Sequence, residues 1–221
     1  KEFNSVFCLN NADAPICYIV MAANKGMCGA FNAELLSFFD GILEKEKKTP
    51  VIFTCGKKVR EHFQSNGIPY KKAYIFNDVP SYSEVSELFK EIRSLMKEGS
   101  VSSVRMVYPE YINMIKQEPV LCDLFTIDEG KDEGNNFIFV PDKDTVINNT
   151  AEKTFTSIMY KKILETALGA QAATLTTMRS AYDTACEYIT QLETQINCIR
   201  QSQVTADVIE ISAEYSMKGE K

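Results

Sequence analysis

Apolar residues recur at alternating steps of three and four positions through the last third of the chain. The residues of this apolar seam are Leu175, Met178, Tyr182, Ala185, Ile189, Leu192, Ile196 and Ile199. A repeat of about 3.5 residues predicts a helix that supercoils left-handedly around a second helix. Neither proline nor glycine interrupts residues 170–217. A single helix over residues 144–215 would be about 100 Å long at roughly 1.5 Å per residue, too long to fold back on a compact domain of this size.

No other segment of the chain approaches the length needed to cover this seam. An ordinary pair of helices separated by a turn is the alternative. The faces beside the seam favour the long helix, because Glu193 and Arg200 are the only charges between Tyr188 and Ala206. A helix surrounded by solvent usually carries Lys and Glu on these faces. A neutral polar surface suits a helix enclosed by other protein, where each charge would need a partner.

The first half of the chain alternates apolar runs with amphipathic stretches. Strands are predicted at residues 16–21, 51–56, 70–76 and 101–108, with further extended segments at 112–115, 119–127 and 137–140. Helices are predicted at residues 30–47, 57–65 and 81–98. This alternation predicts right-handed crossovers and an α/β fold with an open, doubly wound, mostly parallel sheet of Rossmann-like type.

The predicted organisation is therefore a globular α/β domain over residues 1–141, followed by a very long C-terminal helix over residues 142–221. Asp142 or Asp144 is a candidate N-cap for this helix, because both residues can accept a hydrogen bond from the first helical turn. The apolar seam makes the helix one half of a coiled coil.

Composition narrows the function classes. The net charge is -6 and the chain has no basic run, which argues against nucleic-acid binding. No run of 18 apolar residues exists, so no membrane-spanning segment is expected. Lys1 to Asn10 lack the apolar core of a signal peptide. Because the chain begins close to a predicted strand, we expect it to be a fragment of a longer protein.

Cysteine and histidine usage argues against metal chemistry. The seven cysteines show no CxxC spacing, and His62 is the only histidine. An odd cysteine count without paired spacing indicates free thiols in a reducing compartment. With one histidine, neither a zinc site nor a Ser-His or Cys-His arrangement is expected. We therefore expect no cofactor, no metal and no catalytic residue.

A glycine turn, Lys25-Gly26-Met27-Cys28-Gly29, separates the first predicted strand from the first helix. Doubly wound folds often bind phosphate at this place. However, the turn matches neither GxGxxG nor GxxxxGK[ST], and no acidic residue follows at the distance typical of a ribose contact. We favour a structural role over a nucleotide site, with Gly26 and Gly29 permitting a tight turn and close helix–sheet packing.

Four stretches together carry a family resemblance. Residues 24–32 (NKGMCGAFN) closely resemble the S-D-[RK]-G-L-C-G-x-x-N segment of the gamma subunit of F-type rotary ATP synthases. Residues 113–119 (NMIKQEP) are similar to its N-x-x-x-Q-x-P segment, and residues 171–178 to its E-x-A-A-R-M-x-A-M segment. Residues 197–211 (NCIRQSQVTADVIEI) resemble N-x-x-R-Q-x-x-I-T-x-E-[LI]-x-E-I near the family's C-terminus. The resemblance covers almost the whole chain.

The chain departs from the family pattern at several positions. Asn24 replaces the usual Asp. The other departures are Ala170, Thr174, Asp207, Glu214 and Tyr215. The family also has an N-terminal helix that forms the other half of the coiled coil. Its absence from this chain accounts for the uncovered seam, and we expect the chain to self-associate through the long helix.

The resemblance implies a rotor shaft that couples ion-driven rotation, by protons or sodium ions, to ATP synthesis and hydrolysis without bond chemistry of its own. The implied partners are a hexamer of alpha and beta subunits around the coiled coil, an epsilon-type subunit and the membrane c-ring. The implied location is the cytoplasmic face of the bacterial inner membrane, as a peripheral subunit of the complex.

The resemblance also implies roles for four residues. Arg200 and Gln201 match the family's R-Q pair, which contacts the catalytic subunits. Tyr160 and Glu165 align with positions that face the ring at the foot, with plain helix surface as the alternative. Two rival functions remain open: a nucleotide-binding flavodoxin-like enzyme with a helical dimerisation arm, and a coiled-coil scaffold. Nucleotide binding would support the enzyme, and binding to a hexameric ATPase core would support the shaft.

Overall fold

The computed structural model describes residues 13–125, 140 and 142–218. Its strands are β1 (Cys17–Met21), β2 (Val51–Cys55), β3 (Lys72–Tyr74), β4 (Val104–Tyr111) and β5 (Gln117–Asp123). Its helices are α1 (Phe31–Leu43), α2 (Lys57–Asn66), α3 (Tyr82–Lys97) and α4 (Lys143–Lys218). None of the helices in this described part is both long enough and apolar enough to cross a lipid bilayer.

The five strands form one sheet in the order β3-β2-β1-β4-β5. β1 lies at the centre and pairs in parallel with β2 and β4, and β2 pairs in parallel with β3. Only the β4–β5 pair is antiparallel. Since β1 has a partner on both edges and helices on both faces, all five of its residues are buried, as expected for a continuous apolar run. The predicted open, doubly wound and mostly parallel α/β fold is confirmed.

The antiparallel pair exists because β4 and β5 are joined by a short hairpin turn, which parallel strands cannot use. The extended segment predicted at residues 112–115 is wrong, since these residues form that turn. The side chain of Asn113 accepts the backbone N–H groups of Ile115 and Lys116 at 2.9 and 2.8 Å. This local bond competes with the strand ladder, as Asn side chains commonly do. Most of the strand predicted at 137–140 lies outside the described residues.

Alternate side chains of the central strand enter two different cores. Ile19 and Met21 point to the first core, which includes α3 and the first part of α4. Tyr18 and Val20 point to a core that includes α1 and α2. The period of two along a strand therefore divides β1 between the two faces of the sheet. The result is a three-layer arrangement in which the sheet lies between two pairs of helices.

The long helix α4 begins at a capped N-terminus. Asp142 accepts the backbone N–H of Thr145 at 2.9 Å, the bond expected of an N-cap. The helix then continues for 76 residues without a break, so the alternative of two helices separated by a turn is wrong. Four of its residues pack into the first core, namely Ala151, Phe155, Met159 and Ile163.

The chain divides into two compact units, residues 1–176 and 177–221. The long helix begins at Lys143, and residues of its first part such as Phe155 and Ile163 belong to the core of the first unit. The domain boundary at residue 141 stays a prediction. The second unit consists, in its described residues, of helix alone.

Close backbone approach fixes one glycine at the carboxyl edge of the sheet. Gly56 follows β2 with a φ of 111°, and a Cβ at this position would lie 2.2 Å from the carbonyl oxygen of Ala22. Here the chain leaving β2 crosses the chain leaving β1. The two segments are also joined by a hydrogen bond from the N–H of Ala22 to the carbonyl of Cys55. Only glycine fits both the conformation and the contact.

We expect Gly56→Ala to lower the free energy of unfolding by roughly 2–6 kcal/mol, because overpacking and a strained backbone each cost about 1–3 kcal/mol. Chemical denaturation followed by circular dichroism measures the change. Gly41→Ala in α1 is the matched control, because a Cβ there would meet nothing within 4 Å. The control should be neutral or slightly stabilising. Equal stability of the two variants would contradict the prediction.

Candidate functional site

The glycine turn after β1 is held by two asparagine side chains. The amide of Asn24 donates to the carbonyl of Phe76 at 2.6 Å and accepts the N–H of Lys57 at 3.1 Å. The side chain of Asn32 accepts the N–H of Ala23 at 3.0 Å. The turn is thereby tied to the segment after β3, to the first residue of α2 and to α1. Because an amide can donate and accept at once, Asn24 makes a pair of bonds that a carboxylate, which only accepts, could not make.

The inner side of the turn packs against the long helix. Cys28 is buried and forms a small apolar cluster with Ala23, Phe31 and Ala173, with Ala170 beside it. The turn therefore connects the end of β1 to α4 by direct packing. This contact supports the predicted structural role of the turn, since its apolar side chains are used to hold a helix.

The two glycines of the turn differ in their backbone. Gly29 has a φ of 59°, and Met27 also has a positive φ of 61°. Positive φ favours glycine and is uncommon for other residues. Gly26 has no such conformation, and a Cβ there would meet nothing within 4 Å. The structure thus assigns the conformational requirement to Gly29.

A cleft of about 460 Å³ opens beside the glycine turn. It is bounded by the turn, by the segment after β3 and by α4. Its apolar lining includes Met21, Phe76 and Ile163. At its rim the Lys25 ammonium lies 2.5 Å from a carboxylate oxygen of Asp78. The cleft lies where doubly wound folds often bind ligands. The residues that line it therefore bear on whether the turn has a structural role or belongs to an enzyme site.

The cleft has a cysteine in its lining, and the thiol of that cysteine is buried. Cys55 lines it, and burial raises the pKa of this thiol, which keeps the sulfur protonated and a poor nucleophile. Across the described parts of the chain, no group of three or more His, Cys, Asp or Glu residues could hold a metal ion. Cys55 is therefore not an activated nucleophile in the cleft.

Tyr160 and Glu165, predicted at the foot, both have partners within the first unit. The ring of Tyr160 meets Tyr82 edge-on, with 5.6 Å between ring centroids. The Glu165 carboxylate accepts the backbone N–H of Tyr111 at 3.3 Å and lies 3.3 Å from the Lys162 ammonium. Its side chain is only 17% exposed. Contact of these two residues with a partner ring stays a prediction.

The apolar seam is exposed along its whole length. Its larger side chains range from 41% exposed at Met178 to 70% at Tyr182. Arg200 and Gln201 also lie on the exposed surface of the same helix. The structure therefore presents the seam and the predicted partner contacts as accessible helix surface in this chain.

Threonine hydroxyls in the second unit are satisfied by the helix itself. Each donates to the carbonyl oxygen four residues earlier, at 2.8–3.1 Å, in Thr184, Thr190, Thr194 and Thr205. Such back-bonding turns the hydroxyl toward the backbone. These positions then offer a partner mainly their methyl groups. The sequence predicts a polar surface at these positions. The internal bond could also have been predicted, because a threonine in any helix has the carbonyl four residues earlier within reach.

A protein-family model described as ATP synthase matches residues 2–215. Among curated proteins, the ATP synthase gamma chain of Rubrobacter xylanophilus is 29% identical over 202 residues, covering 87% of this chain and 70% of the relative. The ATP synthase gamma chain of Clostridium kluyveri is 27% identical over 213 residues, covering 95% of this chain and 75% of the relative.

Solved structures share the fold. One is the Euglena gracilis mitochondrial ATP synthase containing OSCP, F1 and the c-ring in rotational state 3, with a TM-score of 0.69 and 13% identity. That match covers 91% of this chain and 72% of the other chain. Another is the central stalk and c-ring of the Tetrahymena thermophila mitochondrial ATP synthase, with a TM-score of 0.63, 14% identity and coverage of 82% and 83%.

We expect the glycine turn to stabilise the fold and to bind no nucleotide. Gly29→Val should lower the free energy of unfolding by about 1–3 kcal/mol, since a β-branched residue at positive φ is strained. Gly26→Val is the matched control and should cost less, because its φ is not positive and its surroundings are open. Thermal unfolding compares the two variants.

Calorimetric titration of ATP, ADP and NAD into the same proteins checks the expectation that the glycine turn binds no nucleotide. Met27 and Cys28 place side chains where a phosphate cradle needs bare backbone N–H groups. No heat of binding is expected at micromolar ligand. Micromolar binding that disappears in Gly29→Val would instead favour a nucleotide-binding enzyme.

We also expect the 221-residue chain to self-associate through the apolar seam. Burying each larger apolar side chain is worth about 1.5–3 kcal/mol. The sedimentation coefficient should therefore rise with protein concentration, and Leu192→Gln on the seam should reduce that rise. Tyr188→Gln, a similarly exposed position off the seam, serves as the control. A strictly monomeric profile with full protection of the helix in hydrogen exchange would refute self-association.

Proposed function

Since this chain belongs to the ATP synthase family, we propose that it is a gamma chain and acts as the central rotor shaft of an F-type ATP synthase. It couples ion-driven rotation to ATP synthesis and hydrolysis at the surrounding catalytic subunits. The observation that carries the proposal is the unbroken helix Lys143–Lys218 in a chain whose curated relatives are named ATP synthase gamma chain.

A shaft needs a stiff element that transmits torque, and a continuous α-helix supplies one. The helix must also pass different partner surfaces in turn without binding any of them strongly. Buried ion pairs would each cost several kcal/mol to break. The segment between Tyr188 and Ala206 carries only two charges, and the hydroxyls of Thr190, Thr194 and Thr205 are bonded internally. This surface supports repeated, weak contact.

The partners we assign are a hexamer of alpha and beta subunits around the long helix, the membrane c-ring and an epsilon-type subunit at the foot. The chain itself carries out no bond chemistry in this proposal, and the coupling ion is a proton or a sodium ion. We place the complex at the cytoplasmic face of a bacterial inner membrane, because the curated gamma-chain relatives come from bacteria such as Clostridium kluyveri. A nucleotide-binding enzyme with a helical arm has no support from the family match.

Arg200 and Gln201 are proposed to contact the catalytic subunits. Arg200→Ala in the assembled ATP synthase should lower turnover roughly tenfold, because a hydrogen bond to a charged group is worth about 1.5–3 kcal/mol. The melting temperature of the isolated chain should hardly change, since the side chain is exposed on the helix. ATP hydrolysis by the complex and thermal unfolding of the chain measure the two effects.

Arg200→Lys is the matched control for this experiment. It keeps the positive charge but loses the planar, two-pronged geometry of the guanidinium, so turnover should recover only in part. A large drop in melting temperature with normal turnover would show that the residue is structural. Failure of the unaltered protein to bind an alpha–beta hexamer would remove the shaft proposal itself.

A further inference from the structure

One face of α4 lies along the β4–β5 hairpin. The positions concerned are 162, 165, 169 and 176, whose spacings of three, four and seven keep them on one side of a helix. The Lys162 ammonium lies 4.5 Å from the ring centroid of Tyr108. The hydroxyl of Thr176 donates to the carbonyl of Met114 at 3.3 Å. Together with the bond from the N–H of Tyr111 to the Glu165 carboxylate, these contacts run from Tyr108 within β4 to the hairpin turn.

The hairpin turn is itself fixed by the two polar residues of its N-x-x-x-Q segment. The side chain of Asn113 accepts two backbone N–H groups of the turn. The amide of Gln117 donates to the carbonyls of Asn113 at 2.9 Å and Met114 at 3.3 Å. These side-chain bonds to the backbone hold the turn closed.

Gly169 sets the distance between the helix and this hairpin. A Cβ at Gly169 would lie 3.4 Å from Cγ of Gln117 and 3.1 Å from Cε2 of Phe31. Glycine inside a helix lowers helix stability relative to alanine, so a packing reason is expected for it. Here the reason is that the side chains of Gln117 in the hairpin and Phe31 in α1 lie close to the position that a Cβ would occupy.

A second, adjacent face of the same helix is held by the sheet and the glycine turn. Met159 and Ile163 pack into the first core, and Ala173 packs on Cys28 and Phe31. At about 100° per residue, the centre of this face is turned by well under a half-turn from the hairpin face. A helix held on two adjacent faces cannot rotate about its own axis without lifting off one of them.

We propose that the β4–β5 hairpin keeps α4 from rotating about its own axis, and we call the hairpin in this role the torque strut. Gln117 and Gly169 are its positioning residues. The strut stops α4 from turning against the α/β domain, so that rotation applied to the domain passes into the helix, which continues without a break to Lys218. This inference rests on the proposed rotor function. It also gives the N-x-x-x-Q segment a mechanical role.

The test uses the assembled ATP synthase and compares ions pumped per ATP hydrolysed. Gly169→Val adds a branched side chain against Phe31 and Gln117, whose side chains lie 3.1 and 3.4 Å from the Cβ position, and we expect it to loosen the packing of the helix on the hairpin. Gln117→Met keeps the side-chain length but removes both N–H donors. In each variant hydrolysis should stay within twofold of the unaltered enzyme, because a slipping rotor still lets the catalytic subunits cycle. Ions pumped per ATP should fall at least threefold.

Gly41→Val in α1 is the matched control, because it makes the same change inside a helix at a position with open surroundings. Its pumping ratio should equal that of the unaltered enzyme. If Gly169→Val and Gln117→Met lower pumping and hydrolysis in proportion, leaving the ratio unchanged, the hairpin is merely structural and the strut is overturned. If the unaltered complex does not pump at all, the rotor function fails instead.

If a variant fails to assemble into the complex, hydrogen exchange in the isolated chain tests whether Gln117 holds the hairpin turn. The amides of Ile115 and Lys116 are bonded to Asn113 inside the turn. In the chain carrying Gln117→Met they should exchange with solvent at least tenfold faster than in the unaltered chain, and Gly41→Val should leave them unchanged. Unchanged exchange in Gln117→Met would show that Gln117 does not fix the hairpin, which overturns its assignment as a positioning residue.

Discussion

The fold depends on a mismatch between the length of one helix and the size of the sheet that it packs on. β1 has five residues and spans about 17 Å, whereas α4 has 76 residues. Among its described residues within the first unit, Ala172 and Ala173 are buried. The larger apolar side chains of the seam that follows, from Leu175 to Ile199, are exposed. The sequence therefore carries a surplus of apolar helix surface, which is the physical sign of a subunit made to work inside other protein.

Local signals were sufficient to predict most of the fold. The central strand β1 is a continuous apolar run, and the helices show their periodicity and caps, as at Ser81, whose side chain accepts the N–H of Glu84. The error at residues 112–115 has a clear cause. Ile112, Met114 and Ile115 are apolar and suggested a strand, yet Ile115 is 83% exposed, because the Asn113 side chain closes a turn there. Apolar content alone cannot reveal such a competing side-chain bond.

The candidate site was only partly predictable. The apolar seam could be predicted because its spacing is visible along the chain. The inward position of Glu165 could not, since its partner Tyr111 lies 54 residues away and the pairing depends on how the hairpin meets the helix. The role of Gly169 could be predicted in part. Glycine within a strongly helical segment signals close packing, but the identity of the packed neighbour emerges only from the three-dimensional structure.

The side chain of Asn24 has a consequence for how the domain responds to acidification. Its two bonds, to the carbonyl of Phe76 and from the N–H of Lys57, join three loops at one edge of the sheet. A carboxylate in this place would titrate, and while ionised it would face the Phe76 carbonyl oxygen without a proton to share. The amide has no proton to gain or lose across the physiological range. The Asn24 side chain therefore adds no titrating group to the place where these loops meet, a useful property in a member of the ATP synthase family.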